Sequence, residues 1–399
     1  MKKQLLGSIL LILPLSASAG ENSKFSDRFE FSGFGRIIAG YLDEDAASYE
    51  GYENKLSVSE QSLIAVQTEF AATETLTIAA QLLAHSSEER QSGFEWFYLN
   101  YEPTKNWRFK AGKLRTPFFR YSDVIDVGFA YPWISAPQQV YSGYLFSNYE
   151  GASATYRFNH AGVNVDVEAY YGVYDETVFY TGQEVDVDVD QIVGYIVQTS
   201  FDNFHARASV ISSDDFDVDL PEFKQFEQTL RVAGFERNAD SLSFDGSAVG
   251  YQASLGYDNL QYFTSAEWVR ITSDVLIIPD IDSYYVTAGY NFYPFQAHAT
   301  FSRSDASYDI LTNEIPKGVN PQLDALSFGY DSVISNLQLD SLDSFTLGLR
   351  WDFRPSMALK TEVTFLKGED GERAFFEIED EANFDRDATL YQVAFEWVF

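Results

Sequence analysis

Five basic residues, Arg108, Lys110, Lys113, Arg115 and Arg120, gather between positions 108 and 120 of a chain that carries 60 Asp and Glu against 27 Lys and Arg. Two acids, Asp123 and Asp126, follow at once. Such a cluster could form an anion or phosphate site. It could also be a charged wall balancing neighbouring acids, the reading preferred in a chain with a formal charge of −33. Bond-making chemistry finds little footing. The chain has no Cys and only four scattered histidines (His85, His160, His205, His298). It carries neither a Gly-x-Ser-x-Gly nucleophile motif nor a His-Glu-x-x-His metal motif. The expectation is a protein that is not an enzyme, with no cofactor and no metal site. Nucleic acid is a poor partner, because the acidic balance repels phosphate.

The cluster leads into the stretch 113–150, which is too long, too aromatic and too rich in proline (Pro117, Pro132, Pro137) for a hairpin turn. Those prolines block a regular helix or a central strand. The aromatic content argues against disorder, and an ordered loop of this length usually has a function.

The flanking segments are strands by their period of two. Val163–Tyr171 shows it most cleanly, with Val163, Val165, Val167, Ala169 and Tyr171 alternating against Asn164, Asp166, Glu168 and Tyr170. Sixteen segments of this kind run from Phe29–Tyr41 to Thr389–Phe399, mostly about ten residues long, the length of a tilted transmembrane β-strand. After the first strand, short and long connections alternate. The short ones are tight turns such as Asp202-Asn203, Asp258-Asn259 and Tyr293-Pro294. The long ones run roughly over 43–61, 85–93, 113–150, 172–191, 212–247, 272–282, 303–343 and 367–388. One strand face is apolar. The other carries Arg36, Glu69, Arg108, Lys110, Arg157, Asp166, Glu168, Arg207, Glu267, Arg350, Lys360, Glu362 and Glu396. A soluble sandwich would show the same alternation. The loop pattern and the Tyr and Trp near strand ends (Tyr41, Tyr101, Trp107, Tyr171, Tyr257, Tyr290, Trp351, Trp397) favour a closed barrel in a membrane.

The N-terminus agrees. Lys2 and Lys3, an apolar run Leu5–Leu15 too short to span a bilayer, and Ala17-Ser18-Ala19 make a secretory signal peptide, residues 1–19, ahead of a barrel over 20–399. Its removal takes away two lysines and no acid, so the mature chain is more acidic still. An exported chain without Cys has no disulfide framework, and a membrane-spanning one without long apolar helices must be a closed barrel.

The last strand, Tyr391-Gln-Val-Ala-Phe-Glu-Trp-Val-Phe399, resembles the C-terminal signal of Gram-negative outer-membrane barrels. With sixteen strands, the whole mature chain resembles the Gram-negative porins. Ala111-Gly-Lys-Leu-Arg-Thr-Pro-Phe-Phe119 and Ala130-Tyr-Pro-Trp-Ile-Ser-Ala-Pro-Gln-Gln-Val-Tyr141 are similar to a gammaproteobacterial branch of them. The Pro-Glu-Phe-Gly-Gly motif of the enteric third loop is absent. The resemblance implies an all-β, sixteen-stranded antiparallel barrel in the outer membrane, with the third external loop folded into the lumen. It implies a passive channel for ions and small hydrophilic solutes, a homotrimer, contact with lipid and lipopolysaccharide, and recognition by the barrel-assembly machinery through the strand ending in Phe399. Under that reading Asp123 and Asp126 face basic wall residues drawn from Arg36, Arg108, Lys110 and Arg157, and set up a transverse field at a constriction also lined by Lys113, Arg115 and Arg120. The alternatives are a loop packed over the mouth or against a neighbouring subunit, a substrate-selective channel, and a non-conducting adhesin or scaffold. The acids of the other long loops, such as Asp175, Glu176 and Asp214–Asp219, form a solvated face or bind divalent cations that bridge to lipopolysaccharide; the solvated face is preferred, since the features of a calcium loop are missing.

Overall fold

Alternation of outward apolar and inward polar residues closes one sheet on itself. The computed structural model describes residues 27–399 other than 88, 89, 91, 143–146, 181, 182, 219, 310 and 311; the expected signal peptide 1–19 lies outside the described residues. The strands are β1 (Phe29–Leu42), β2 (Ala47–Tyr49), β3 (Leu63–Ala71), β4 (Leu76–His85), β5 (Gly93–Tyr101), β6 (Trp107–Arg115), β7 (Asn148–His160), β8 (Val163–Tyr180) and β9 (Gln183–Phe201). They continue with β10 (Phe204–Val218), β11 (Ser247–Asp258), β12 (Tyr262–Ser273), β13 (Asp280–Phe292), β14 (Phe295–Ser307), β15 (Leu342–Arg354), β16 (Met357–Gly368), β17 (Phe376–Ile378) and β18 (Asp387–Val398). Sixteen of them form a closed barrel of sequence neighbours, while β2 and β17 stand outside it as a two-stranded sheet. All pairs are antiparallel, and β18 closes on β1 with Arg36 opposite Glu396. No described helix is long and apolar enough to cross a membrane; strands do the spanning.

The outward face is the apolar one: Phe31 is 69% exposed and Leu255 67%, an inversion that only a lipid-facing surface rewards. Aromatic pairs across neighbouring strands mark both edges of this band. Phe29 with Phe70, Trp107 with Tyr156, Tyr262 with Tyr290, and Phe295 with Trp351 lie toward the short turns. Tyr41 with Tyr391 and Tyr284 with Phe301 lie toward the long loops. At the seam Gly33 and Phe399 exchange backbone hydrogen bonds of 2.8 and 2.9 Å.

Three boundaries differ from the sequence expectation. The segment 113–150 is loop only over 116–147, because Lys113 and Arg115 continue the β6 ladder opposite Glu150 and Asn148. Gly112, at φ +139°, bends that strand without ending it. The expected loop 172–191 is mostly strand, since β8 and β9 extend as a long hairpin, and β10 runs into the expected loop 212–247 as far as Val218. Val185, Val187 and Val189 are buried in this extension, which is why it holds together beyond the membrane band. Elsewhere the long loops fold. Helices Pro221–Val232, Glu236–Asp240 and Pro321–Ser335 share a small core of Leu230, Ala239, Leu242, Ile315 and Tyr330. The first and last long loops meet in the β2–β17 sheet, which packs with Ile134 of the 116–147 insert.

Candidate functional site: the insert across the barrel lumen

The insert leaves β6 at Thr116 and rejoins the wall at β7. Its prolines leave it only short turns, at Ser122–Val124 and Gly128–Ala130, and one helical turn at Gln138–Tyr141. An irregular backbone inside a barrel needs partners for its peptide groups, and here the wall side chains supply them. On β10, Arg207 donates to Pro117 O and Ser209 Oγ to Phe118 O at 2.7 Å. On β12, Glu267 accepts from Arg120 N at 2.8 Å and from Tyr141 Oη at 2.6 Å. Trp133 Nε1 donates to Thr300 Oγ1 on β14 at 2.8 Å, Arg350 on β15 to Phe129 O at 2.9 Å, and Ile134 N to Glu362 on β16 at 2.8 Å. The insert therefore crosses the lumen and is fastened to its far side.

Lys360 on β16 is the most concentrated of these anchors. Its ammonium donates to three insert carbonyls, Gly128 O at 2.7 Å, Tyr131 O at 3.0 Å and Trp133 O at 2.6 Å. All three of its N–H donors are thereby used. The carboxylate of Glu396 on β18 stands 3.0 Å away, and both side chains are 1% exposed. Glu396 thus supplies the counter-charge to the ammonium, and among the described residues no other donor reaches its oxygens. Room for it depends on Gly128, where a Cβ would stand 2.3 Å from Glu396 Oε1.

On the near side a ring of two guanidiniums and two carboxylates holds the insert. Arg90 bonds Asp126 at 2.6 and 3.0 Å and Glu95 at 2.6 Å; Arg115 bonds Asp126 at 2.6 Å and Glu95 at 3.1 Å. Burial alone would raise the Asp126 carboxyl, but Arg115 and Arg90 outweigh it and hold the group well below the ordinary carboxylate range. The ion-pair partners of Asp126 are therefore Arg115 and Arg90; of the wall residues expected for it, Arg36 adds to the positive field on its carboxyl without pairing. Arg90 sits in the second long loop, far in sequence from the insert, and only the fold reveals it.

The remaining expected site residues divide between the insert's surroundings and the lower wall. Arg36 donates to Tyr131 Oη at 3.2 Å and to Gln61 O at 3.1 Å. Arg120 lies against His205 and Ser265, wedged into the wall instead of standing free. Lys113 pairs with Glu176. Arg108 pairs with Glu102 in a short turn at 2.7 Å, and Arg157 with Asp166 at 3.8 Å, both away from Asp126. Lys110 stands 5.1 Å from the Tyr98 ring centroid. Asp123 is exposed on the insert, in the electrostatic neighbourhood of Arg207 on β10.

Exposure divides the inner wall. Along β11–β14, inward residues such as Gln252, Glu267, Ser283, Thr287, Thr300 and Ser302 are at most 2% exposed. Along β3 and β5–β8, inward Glu69, Asn100, Arg108, Lys110, Arg157 and Glu168 keep partial exposure. The insert thus seals the wall along β11–β14 more completely than along β5–β8. Between the insert and the long-loop rim lies a cavity of about 760 Å³, whose lining includes Arg36, Glu50, Gln61, Arg115 and Glu176. Among the described residues no group of three His, Asp or Glu side chains is placed to hold a metal ion.

No protein-family model matches the chain, and no curated protein sequence matches it. Solved structures do. OmpF of Salmonella typhi, in complex with daunomycin, is 12% identical with a TM-score of 0.56, over 94% of this chain and 99% of that one. An anion-selective porin from Comamonas acidovorans is 12% identical with a TM-score of 0.55, over 93% and 99%. OmpT, an outer membrane protein of Vibrio cholerae in a trimer form, is 11% identical with a TM-score of 0.54, again over 93% and 99%. At these identities the likeness is one of fold, and the fold is that of the outer-membrane porins: a closed sixteen-stranded antiparallel barrel.

Proposed function

We propose that the chain is a channel of a Gram-negative outer membrane through which ions and small hydrophilic solutes diffuse passively, with the 116–147 insert as its constriction. The observation that carries this reading is the fastening of the insert across the lumen by wall side chains, beside a half-wall whose charged residues stay in contact with water. A pore narrowed from one side passes solutes along the other. Asp123, exposed on the insert, would face Lys110, Arg108 and Arg207 across that passage, and the opposed charges would orient polar solutes. The apolar band and its aromatic edges suit contact with lipid and lipopolysaccharide, and the strand ending at Phe399 suits recognition by the assembly machinery. A homotrimer is supported by the trimer form of the similarly folded OmpT. Charged groups tied up in ion pairs with one another suit filtering better than bond-making.

Reconstitution in a planar bilayer tests the reading. Stepwise conductance in KCl is expected, with a reversal potential under a salt gradient that shifts when Arg108 and Lys110 are changed to Ala. Folded protein that gives no conductance would sink the channel and favour a scaffold or adhesin. An unchanged reversal potential would remove those two residues from the narrowest point.

A further inference from the structure

Resting on the channel reading, we propose that the cavity above the insert binds a small zwitterionic solute, an amino acid or short peptide, with its carboxylate on Arg36 and its ammonium on Glu50. The first observation is the charge inventory of the lining. Arg90 and Arg115 are committed to the ring with Asp126 and Glu95, and Lys113 is committed to Glu176. Among the described residues Arg36 makes no ion pair; its guanidinium donates only to a phenol and a peptide carbonyl. Glu50 likewise accepts from an amide, Gln61 Nε2 at 2.7 Å, and from no cation.

The second observation is how the two are held. Gln61 bonds Arg36 through its backbone carbonyl and Glu50 through its side chain, and its Oε1 is fixed in turn by Ser135 of the insert at 2.7 Å and Gln392 of β18 at 3.2 Å. One residue thus positions an opposite pair that does not close on itself. A molecule carrying both charges a few bonds apart completes it. An anion alone would leave Glu50 opposed, and a cation alone would leave Arg36 unmet. Arg offers a planar fork suited to a carboxylate, and a cavity of about 760 Å³ is of the size that holds small ligands.

The third observation is backbone strain. Tyr49 and Tyr52 exchange backbone hydrogen bonds around a two-residue turn in which Glu50 has φ +51° and Gly51 φ +77°. A turn with both central residues in the left-handed region favours Asn, Asp or Gly at the first of them. Glutamate there is a poor choice for the turn, and strain of this kind collects where a side chain is needed for function. The titration of Glu50 fits the same picture. Burial, partly offset by Gln61 and Arg36 and reinforced by Glu362, lifts its carboxyl to about 7. Arg36 on β1, Glu362 on β16, and Tyr49 and Tyr52 on either side of it in its own turn are the ionisable neighbours. An ammonium arriving beside Glu50 would displace a proton from it.

The test is calorimetric titration of the full folded chain in detergent with L-alanyl-L-alanine, N-acetyl-L-alanine (carboxylate only) and L-alaninamide (ammonium only). The dipeptide is expected to bind at least tenfold more tightly than either single-charge probe, with proton release near pH 7 seen as a dependence on buffer ionisation heat. Glu50→Asn should lower dipeptide affinity at least tenfold while raising the urea midpoint, because Asn suits the turn; a merely structural Glu50 would not separate the two. If Glu50→Asn does not fold, Glu50→Gln, which keeps a partner for Gln61 and leaves the turn as it is, should lower dipeptide affinity at least tenfold with the urea midpoint not reduced. Equal affinities for the three probes, or unchanged dipeptide affinity in the variant, would overturn the proposal. Absence of binding with KCl conductance intact refutes this site and leaves the channel standing; binding without conductance refutes the channel alone.

Discussion

Replacing Lys360 with Met removes the ammonium that holds three insert carbonyls and keeps most of the stem. The side chain is 1% exposed and so is its partner Glu396, so water cannot easily take its place. Losing one member of a buried ion pair costs about 3–5 kcal/mol, chiefly because the other charge is left uncompensated. The carbonyls of Gly128, Tyr131 and Trp133 add to this, each unsatisfied group being worth roughly 1–3 kcal/mol before relaxation. Since the insert can shift and admit water, the net loss should sit near the upper end of the ion-pair range, about 5 kcal/mol. The double variant K360M/E396Q removes the stranded charge and should recover around half of that loss; the remainder is the carbonyl contribution. Urea unfolding in detergent gives the stability difference. Single-channel recording gives the consequence: an insert released from β16 should yield larger and noisier current steps. If K360M matches the parent within about 0.5 kcal/mol, the scale of an inconsequential surface change, the clamp is not energetic. If stability falls and current steps keep their size, Lys360 supports the wall and not the insert.

Three further outcomes follow from the same geometry. Gly128→Ala places a methyl 2.3 Å from Glu396 Oε1 and should destabilise by about 1–3 kcal/mol, as overpacking does, read as a lower urea midpoint that E396A restores. Asp126→Asn discharges the acid shared by Arg90 and Arg115 and should cost about 3 kcal/mol. Because its folded-state carboxyl is held below the ordinary range, the parent's advantage over the variant should be complete at neutral pH and fade as pH falls through and below that range. Glu50 behaves in the opposite sense: its raised carboxyl keeps a proton that the unfolded chain has already lost, so its contribution to stability declines as pH climbs from the ordinary carboxylate range to about 7. Over the upper part of that rise the vestibule gains a negative charge. The cation-to-anion permeability ratio, measured by reversal potential, should increase through pH 7 in the parent and stay flat in Glu50→Gln.

The barrel was legible in the sequence because a lipid-facing strand must alternate along its whole length, and Val163–Tyr171 or Tyr391–Phe399 show that without help from context. What lies beyond the membrane band obeys weaker rules. Val185-Asp-Val-Asp-Val189 alternates as a strand does but falls within the expected loop 172–191; burial of its valines explains why it continues the sheet. The helices Pro221–Val232 and Pro321–Ser335 carried a readable start signal, proline in the first turn and, for the second, Asn320 accepting from Leu323 N as cap. The site was legible in part. The position of the insert and the charge of its neighbourhood followed from loop order, but pairing across the lumen depends on which way each side chain leans. Asp126 found Arg90 from a different loop. Lys360, Glu362 and Glu396, which read as lumen-lining charges, are sealed beneath the insert and became its anchors.

The unequal cover of the inner wall has a consequence for mutational scanning. On β11–β14 the polar groups under the insert bond one another, as Thr300 does Thr287 at 2.7 Å and Gln252 does Glu267 at 2.9 Å, and behave like the interior of a soluble protein. On β5–β8 the charged residues Arg108, Lys110, Arg157 and Glu168 stay partly in water, although Ser153 and Thr155 beside them are buried. Substitutions at inward positions should therefore sort by strand number: those on β11–β14 lower yield and heat resistance, with the current altered only where the side chain holds the insert, as Glu267 and Thr300 do, and those at the water-facing charges of β5–β8 leave folding intact and alter the current. A single ring of polar side chains would carry two separable heritable traits.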